Sequence, residues 1–563
     1  MKKLLLFVLM ISGAHLLSFA QKVSVDPAIS PSLFRYNTQI TVVYDVTGTA
    51  LASLNAAYIW VWIPGKNIDA KYNVNPASND PTKTNNAKFT KSLVDGRTLF
   101  TLTFTPADFF ASSIANETNL GMLLKGNDWP NGQTTDYIAT LWDGSYQIQL
   151  NSPDQMPLFV NTNDEIQIEA VVPTASNFDL YVNNVLTDEQ DGITVYQYAH
   201  TVGETSGGAT VKLVATQGDN NAEESFQYII SAPSPIVARP AGIIPGINYQ
   251  PDATTAILCL WAPGKSSAYV IGDFTDWDVL PEYIMKKDGE YFWLQVNGLE
   301  PEQEYAFQYL VDETLFIADP FADKILDPDD QYIPGSVYPG LKEFPEKALK
   351  EEWYFNRLSV LQTAQQKFSF TDQDYERPAK ENLVIYELLI RDFFGNGERT
   401  YENLTDTIPY LKRLGVNAVE LMPIMEFNGN ESWGYNPAFM FAPDKYYGPK
   451  DKFKEFINAC HNAGIAVILD IAMNHQDLPN SFLMLDFDFA GFKPEADNKM
   501  FNVTPKHPFN VFFDINHESA YTQKYLDTIN HYWLNEYKVD GFRFDLSKGF
   551  TQTNNPNDVG AWS

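Results

Sequence analysis

Three short segments carry side chains whose types and spacing could do chemistry. Asp470-Ile471-Ala472-Met473-Asn474-His475 sets a carboxylate, a carboxamide and an imidazole at the end of an apolar run. In Gly541-Phe542-Arg543-Phe544-Asp545 an arginine and an aspartate alternate with two phenylalanines, so a strand would turn both polar groups to one face. Trp433-Gly434-Tyr435-Asn436-Pro437 adds two aromatic side chains in a loop. An arginine beside a carboxylate keeps it ionised, and such a group at a strand mouth is suited to attack a carbon electrophile. Taken singly, Asp545 could be half of a structural ion pair with Arg543, and His475 a satisfied loop histidine. Taken together with Tyr435 and Asp470 at neighbouring strand ends, they read as a site. His461, His507, His517 and His531 read as surface or packing residues.

The elements that must position these groups follow from the pattern after residue 381. Apolar runs 382–390, 416–423, 465–472 and 539–546 alternate with amphipathic helical runs 402–415, 449–464 and 518–537. Strands apolar on both faces and separated by helices form a parallel sheet from right-handed βαβ units. No Gly-rich phosphate loop follows any of these strands, so a doubly wound nucleotide-binding sheet is disfavoured and the first half of a (β/α)8 TIM barrel is expected over 382–563. In such a barrel the three segments fall at the C-terminal strand ends, where active sites lie.

Upstream the period is two. Runs at 38–46, 56–63, 97–104, 165–172 and 209–216 alternate apolar and polar residues, with Pro/Ser-rich breaks near 151–155 and 231–240. Two β-sandwich domains of immunoglobulin-like type, 22–151 and 152–232, are expected to act as spacers or packing modules. A third sandwich is placed at 236–345, followed by a charged, helix-forming connector at 346–381. Within this third sandwich Trp277 closes the strand 268–274 as an exposed-looking aromatic, for which packing is the stronger reading and stacking on a sugar ring the alternative.

Composition limits the partners. The 563 residues carry 39 Lys+Arg against 71 Asp+Glu, a net charge of −32, which opposes binding to nucleic acid or anionic membranes and leaves neutral ligands open. Lys2 and Lys3 precede the apolar run 4–11, and Ser18-Phe19-Ala20 offers small residues at a cleavage site. A signal peptide over 1–20 is expected, with a mature chain from about Gln21, a secreted or periplasmic location and no membrane anchor after cleavage. The run is too short to span a bilayer. The two cysteines, Cys259 in a strand and Cys460 in a helix, read as buried free thiols, and no Cys/His spacing suggests zinc.

The motifs converge on a known family. DIAMNH (470–475) and GFRFDLSK (541–548) resemble two short regions of the α-amylase family, glycoside hydrolase family 13. IYELLIRDF (385–393) and WGYNP (433–437) resemble the first barrel strand and the aromatic loop of its pullulanase and branching-enzyme members. VIGDFTDW (270–277) and DPFADKI (319–325) resemble the early-set domain, related to carbohydrate-binding module family 48, that precedes such barrels. The resemblance implies a retaining α-glucan glycoside hydrolase with two carboxylates roughly 5–5.5 Å apart. It makes Asp545 the nucleophile and Arg543 the group that keeps it ionised. His475 would donate to a sugar hydroxyl, and Tyr435 would stack under the ring with Trp433 in the same loop. Asp470 and Asn474 would organise the site, and Lys548 would face the aglycone. No cofactor is required. Calcium enters only through Asn474, a ligand in some members. Many α-amylases place histidine after the lysine, and Gly549 stands here, which weakens a plain α-amylase specificity.

The family's acid/base glutamate follows the fifth barrel strand, and residue 563 lies about eighteen residues past Asp545. This chain is therefore expected to be the N-terminal part of a longer enzyme and inactive alone. The alternatives are a non-catalytic α-glucan-binding protein and a branching or transglycosylating enzyme.

Overall fold

Alternation of buried and exposed residues builds the N-terminal sheets. A computed structural model describes residues 22–153, 157–204, 207–394 and 399–551, in two units that divide between Ile230 and Ser231. The expected export leader at 1–20 lies outside the described residues. No described helix is long and apolar enough to cross a membrane.

In the first unit Ala28–Ser30, Ile40–Asp45, Arg97–Phe104 and Thr90–Val94 form one antiparallel sheet. Asn119–Lys125 lies at the centre of a second sheet, paired with Tyr58–Trp62 and Tyr137–Thr140. Val42 and Tyr44 from one sheet and Ile59, Val61 and Met122 from the other are buried in a single core. The strands of the following body are hydrogen-bonded into one six-stranded sheet around its own core, because Glu165–Val182 changes partners along its length. Its first half pairs with Gln149–Ser152 and its second with Ala209–Gln217, across register shifts between Val171 and Phe178. The boundary expected at 151 therefore moves upstream, since Gln149–Ser152 belongs to this sheet and Ile148 to its core.

In the second unit, Gly246–Tyr249, Thr255–Trp261, Tyr291–Asn297 and Lys286–Asp288 form one sheet, facing another built around Glu304–Val311. The boundary expected at 345 also moves. Leu358–Gln362 pairs with Glu304–Val311 and with Ile325–Leu326, so the supposed helical connector supplies a strand. Trp277 is corrected as well. Asp276 and Trp277 both take positive φ, 53° and 70°, and fold the indole inward, where Nε1 donates to Asp273 Oδ1 at 3.1 Å. At 9% exposure this ring has no free face for a sugar.

The parallel sheet consists of β1 (Ile385–Leu388), β2 (Ala418–Leu421), β3 (Ala466–Ala472) and β4 (Gly541–Asp545), hydrogen-bonded in chain order. Order that advances in one direction is that of a barrel wall, whereas a doubly wound sheet reverses at its switch point. Between the strands run α1 (Tyr401–Asp406), α2 (Ile408–Arg413), α3 (Lys450–Asn462) and α4 (Ala520–Glu536). The single helix expected at 402–415 breaks at Thr407 because Pro409 has no N–H to continue the ladder. Val419, Val467, Leu469 and Ile471 pack under the helices with Phe456, Ile457, Ile529 and the fully buried Trp533. Cys259 and Cys460 are buried free thiols, as expected.

Candidate active site

Register places the polar groups. Asp470 of β3 lies opposite Arg543 of β4, and Ala472 opposite Asp545, so residues two apart on each strand share one face. Arg543 Nη1 donates to both oxygens of Asp470 at 3.0 Å and to Asp545 Oδ1 at 2.5 Å. The expected arginine–aspartate pair is therefore present, with Asp470 as a third member. β4 is an edge of the described sheet. Arg543 keeps a side-chain exposure of 43% and Asp545 one of 24%, while Asp470 is wholly buried.

Burial pushes the Asp470 carboxyl above the usual range, opposed by hydrogen bonds from Tyr435 and Arg543. Burial works against the Arg543 charge, but its bonds to Asp470 and Asp545 outweigh that and raise its pKa further. One face of the sheet also carries Glu387 and Glu420, which stand opposite each other on β1 and β2 and approach Asp470 within 4.8 Å between carboxylate oxygens. Glu420 is pushed up by burial and by the charges of Glu387 and Asp470.

Tyr435 comes from the loop between Met425–Phe427 and Pro437–Pro443, an antiparallel pair that follows β2. Gly434 shapes this loop at φ 88°, and a Cβ there would lie 2.3 Å from the Pro423 carbonyl oxygen. Tyr435 Oη donates to Asp470 Oδ2 at 2.5 Å, and its pKa is raised first by burial and then by that carboxylate. Trp433 is 60% exposed beside it. The loop thus brings Tyr435 onto the Asp470–Arg543–Asp545 group and leaves Trp433 at the surface.

His475 is placed differently from the expectation. Its Nε2–H donates to the Tyr435 carbonyl oxygen at 2.7 Å, and Nδ1 is buried with no hydrogen-bond partner. Burial lowers its pKa, so the ring is neutral and its one proton is committed to the backbone. His475 holds the Tyr435 loop here and does not present a donor to a ligand. Phe512 stacks on it at 5.4 Å, a contact made from the long 473–519 segment whose role the motif pattern did not reveal.

Asn474 is buried, and neither atom of its carboxamide has a hydrogen-bond partner. It belongs to neither cluster of three carboxylates among the described residues, Glu387/Glu420/Asp470 and Asp486/Glu495/Asp497. Calcium takes no part in the mechanism below. Gly549 packs on this asparagine, since a Cβ there would lie 2.8 Å from Asn474 Cβ. The departure from the family's histidine thus has a steric counterpart. Lys548 Nζ lies 5.4 Å over the Phe509 ring.

Of the remaining histidines, His507 is buried against Asp514 at 2.8 Å and His531 is exposed. His461 is buried between two aspartates, a larger structural role than packing alone.

A family model described as the catalytic domain of alpha-amylase matches residues 384–482. Malto-oligosyltrehalose trehalohydrolase of Saccharolobus solfataricus is 28% identical over 302 residues, covering 53% of this chain and 45% of that protein. A 1,4-alpha-glucan branching enzyme of Shewanella frigidimarina is 26% identical over 296 residues, covering 51% of this chain and 36% of the enzyme. The chain thus spans less than half the length of these curated relatives. Among solved structures, a pullulanase from Paenibacillus barengoltzii in complex with maltohexaose and alpha-cyclodextrin has 21% identity and a TM-score of 0.42, covering 55% of this chain and 49% of that one. Over residues 384–482 the chain is thus similar to the catalytic domain of alpha-amylase, and over about half its length to these glucan-active relatives.

Proposed function

We propose that the parallel-sheet region forms the nucleophile side of a retaining active site for α-glucans, in an exported protein. The observation that carries the reading is the sharing of Arg543 Nη1 between buried Asp470 and part-exposed Asp545. In this reading Asp545 attacks the anomeric carbon and its carboxylate oxygen forms the glucosyl ester as the leaving-group bond breaks. Arg543 donates to the nucleophile carboxylate, and Asp470 fixes Arg543. Tyr435, held through its hydroxyl by Asp470 and through its carbonyl by His475, offers a ring for the sugar, with Trp433 outside it. None of these residues is assigned as the general acid, so an unactivated glucan should not turn over on them alone. The relatives act on glucans by both hydrolysis and transfer according to their names, and hydrolysis is the reaction proposed here.

The test separates nucleophile from acid. An α-glucosyl fluoride carrying a ring-deactivating fluorine has a leaving group that needs little protonation, so it should glucosylate Asp545 without an acid partner. Intact-mass and peptide analysis should find one added fluoroglucosyl group on the Asp545 peptide, with the anomeric fluoride released, and the adduct should be lost in Asp545→Asn. Absence of the adduct, or an adduct on another carboxylate, would sink the assignment.

A further inference from the structure

The first unit carries an indole-lined cavity remote in sequence from the residues discussed so far. In Tyr58–Trp62 the burial pattern alternates, with Ile59 and Val61 in the core and Tyr58, Trp60 and Trp62 turned outward. On the neighbouring strand Gly121 stands opposite Trp62, and a Cβ there would lie 2.2 Å from the indole, so that ring lies flat on the glycine. Trp60 meets Trp129 with ring centroids 4.9 Å apart at 60°.

Trp129 is not a loose surface ring. Its turn, 126–132, closes through Gly126 N–H to the Gly132 carbonyl at 3.0 Å and through Asp128 N–H to Asn131 Oδ1 at 3.2 Å. Lys125 lies beneath it at 1% exposure, its Nζ donating to the carbonyls of Gly126 and Asn127 at 3.1 Å and sitting 5.0 Å over the Trp129 ring. The lysine spends its hydrogen bonds on fixing the turn. The cavity bounded by Trp60, Trp62 and Trp129 measures about 350 Å³, and Lys22, Gln133 and Asp136 form its polar margin.

The geometry points to a binding site for the hexose units of a neutral α-glucan. Flat, fixed indole faces match the apolar C–H face of a pyranose, and a margin of lysine, glutamine and aspartate supplies both donors and acceptors for its hydroxyls. The volume suits one or two sugar rings, where a protein surface would meet a broader aliphatic patch. A net charge of −32 turns away polyanions and leaves neutral sugars. That the glucan is α-linked rests on the proposed function, while the stacking geometry stands by itself.

Native electrophoresis of the full chain through gels containing soluble starch, a mixed-linkage β-glucan or no polysaccharide tests the site. Starch should retard the chain and the β-glucan should not. Trp60→Ala with Trp129→Ala should weaken the starch effect by at least roughly tenfold, the scale of losing well-packed aromatic anchors. Trp129→Tyr should retain part of it, and Asp136→Ala, at an exposed margin, should weaken it with no change in melting temperature. These last two decide the matter if the double variant does not fold. Starch retardation and the mass-detected adduct on Asp545 are read in separate assays, so failure of the nucleophile assignment and failure of this site give different results. Equal retardation of wild type and variants, no retardation by starch, or retardation by the β-glucan alone would overturn the proposal.

Discussion

His461 offers the most exacting check on the electrostatics of the second unit. It lies on α3 at 4% exposure, with Nδ1 2.7 Å from Asp372 Oδ2 and Nε2 3.0 Å from Asp540 Oδ2. Both ring nitrogens therefore donate, which requires the charged imidazolium. The Tyr375 ring stacks on it at 4.1 Å and 5°, Lys538 bonds Asp372 at 2.7 Å, and Arg377 bonds Asp540 at 3.0 Å. Burial opposes the histidine charge, but the two aspartates outweigh it and raise the pKa, while Asp372 and Asp540 are lowered by the same contacts against the same opposition.

Replacing His461 by Gln leaves two buried carboxylates, each still facing one cation, so the cost should fall at the lower end of the range for a broken buried pair, about 3 kcal/mol. For the unit Ser231–Ser563, with about 2 cal/mol/K of unfolding entropy per residue, that corresponds to a melting shift of roughly 4–5 °C. The pH dependence has a definite sign. A raised histidine pKa stabilises fully below its unfolded value of about 6.5 and ceases to as pH rises through the folded value; lowered aspartate pKa values stabilise above about 3.9 and fail as pH falls through theirs. The wild-type advantage over His461→Gln should be largest between about pH 4 and 6.5 and shrink on either side. Thermal unfolding at low salt across that range measures it. An advantage that is constant, or that grows above neutrality, would show the ring to be neutral and refute the reasoning.

Two further outcomes follow from named contacts. Lys445 is buried at 3% exposure among Glu426, Asp330 and Asp444, with Glu426 pushed up to about 7 chiefly by burial and held down only by the lysine. Lys445→Met should cost about 3–5 kcal/mol in denaturant titrations, and the loss should be larger at pH 8 than at pH 5, because burying Glu426 then requires taking up a proton. Gly434→Ala forces a Cβ against the Pro423 carbonyl at a φ of 88°, so the Tyr435 loop must shift; glucosylation of Asp545 by the activated fluoride should slow several-fold at a stability cost of about 1–3 kcal/mol, and unchanged labelling would detach the loop from the site.

The readable parts of the sequence are those whose cause is local. The run Arg97–Phe104 alternates and forms a strand over the same residues, and the four parallel strands appear where apolar runs end in polar residues. Arg543 and Asp545 share a face because a strand alternates, which one segment suffices to show. What escaped depends on partners distant along the chain. Leu358–Gln362 becomes a strand only because Glu304–Val311 has a free edge, and nothing in its charged surroundings signals that. Trp277 looked exposed because it closes a strand, and it is buried because two residues take left-handed backbone. The His461 contacts join positions 372, 461 and 540, and no spacing rule connects them. The commitment of the His475 proton to the Tyr435 carbonyl is likewise a matter of where a loop from another strand arrives.

The charge balance on the inward face bears on which reaction the site could serve. Glu387, Glu420, Asp470 and Asp545 lie there, and the Arg543 guanidinium pairs with the two aspartates. Asp470, wholly buried and holding Arg543 through both its oxygens, has the stronger geometric claim on that cation than part-exposed Asp545. The burial-raised pKa of Asp470 means that acid protonates it more readily than an ordinary aspartate, and each such event leaves Arg543 to Asp545 alone. Such an excess of carboxylate would repel a phosphoryl group, which gathers negative charge as it transfers. It suits a sugar whose anomeric carbon turns oxocarbenium-like, since the positive charge develops beside fixed negative groups that need no reorganisation. On this argument Asp470 is a positioning residue for Asp545. Asp470→Asn should then change the pH profile of Asp545 glucosylation, whereas loss of a merely structural aspartate would lower its extent equally at every pH.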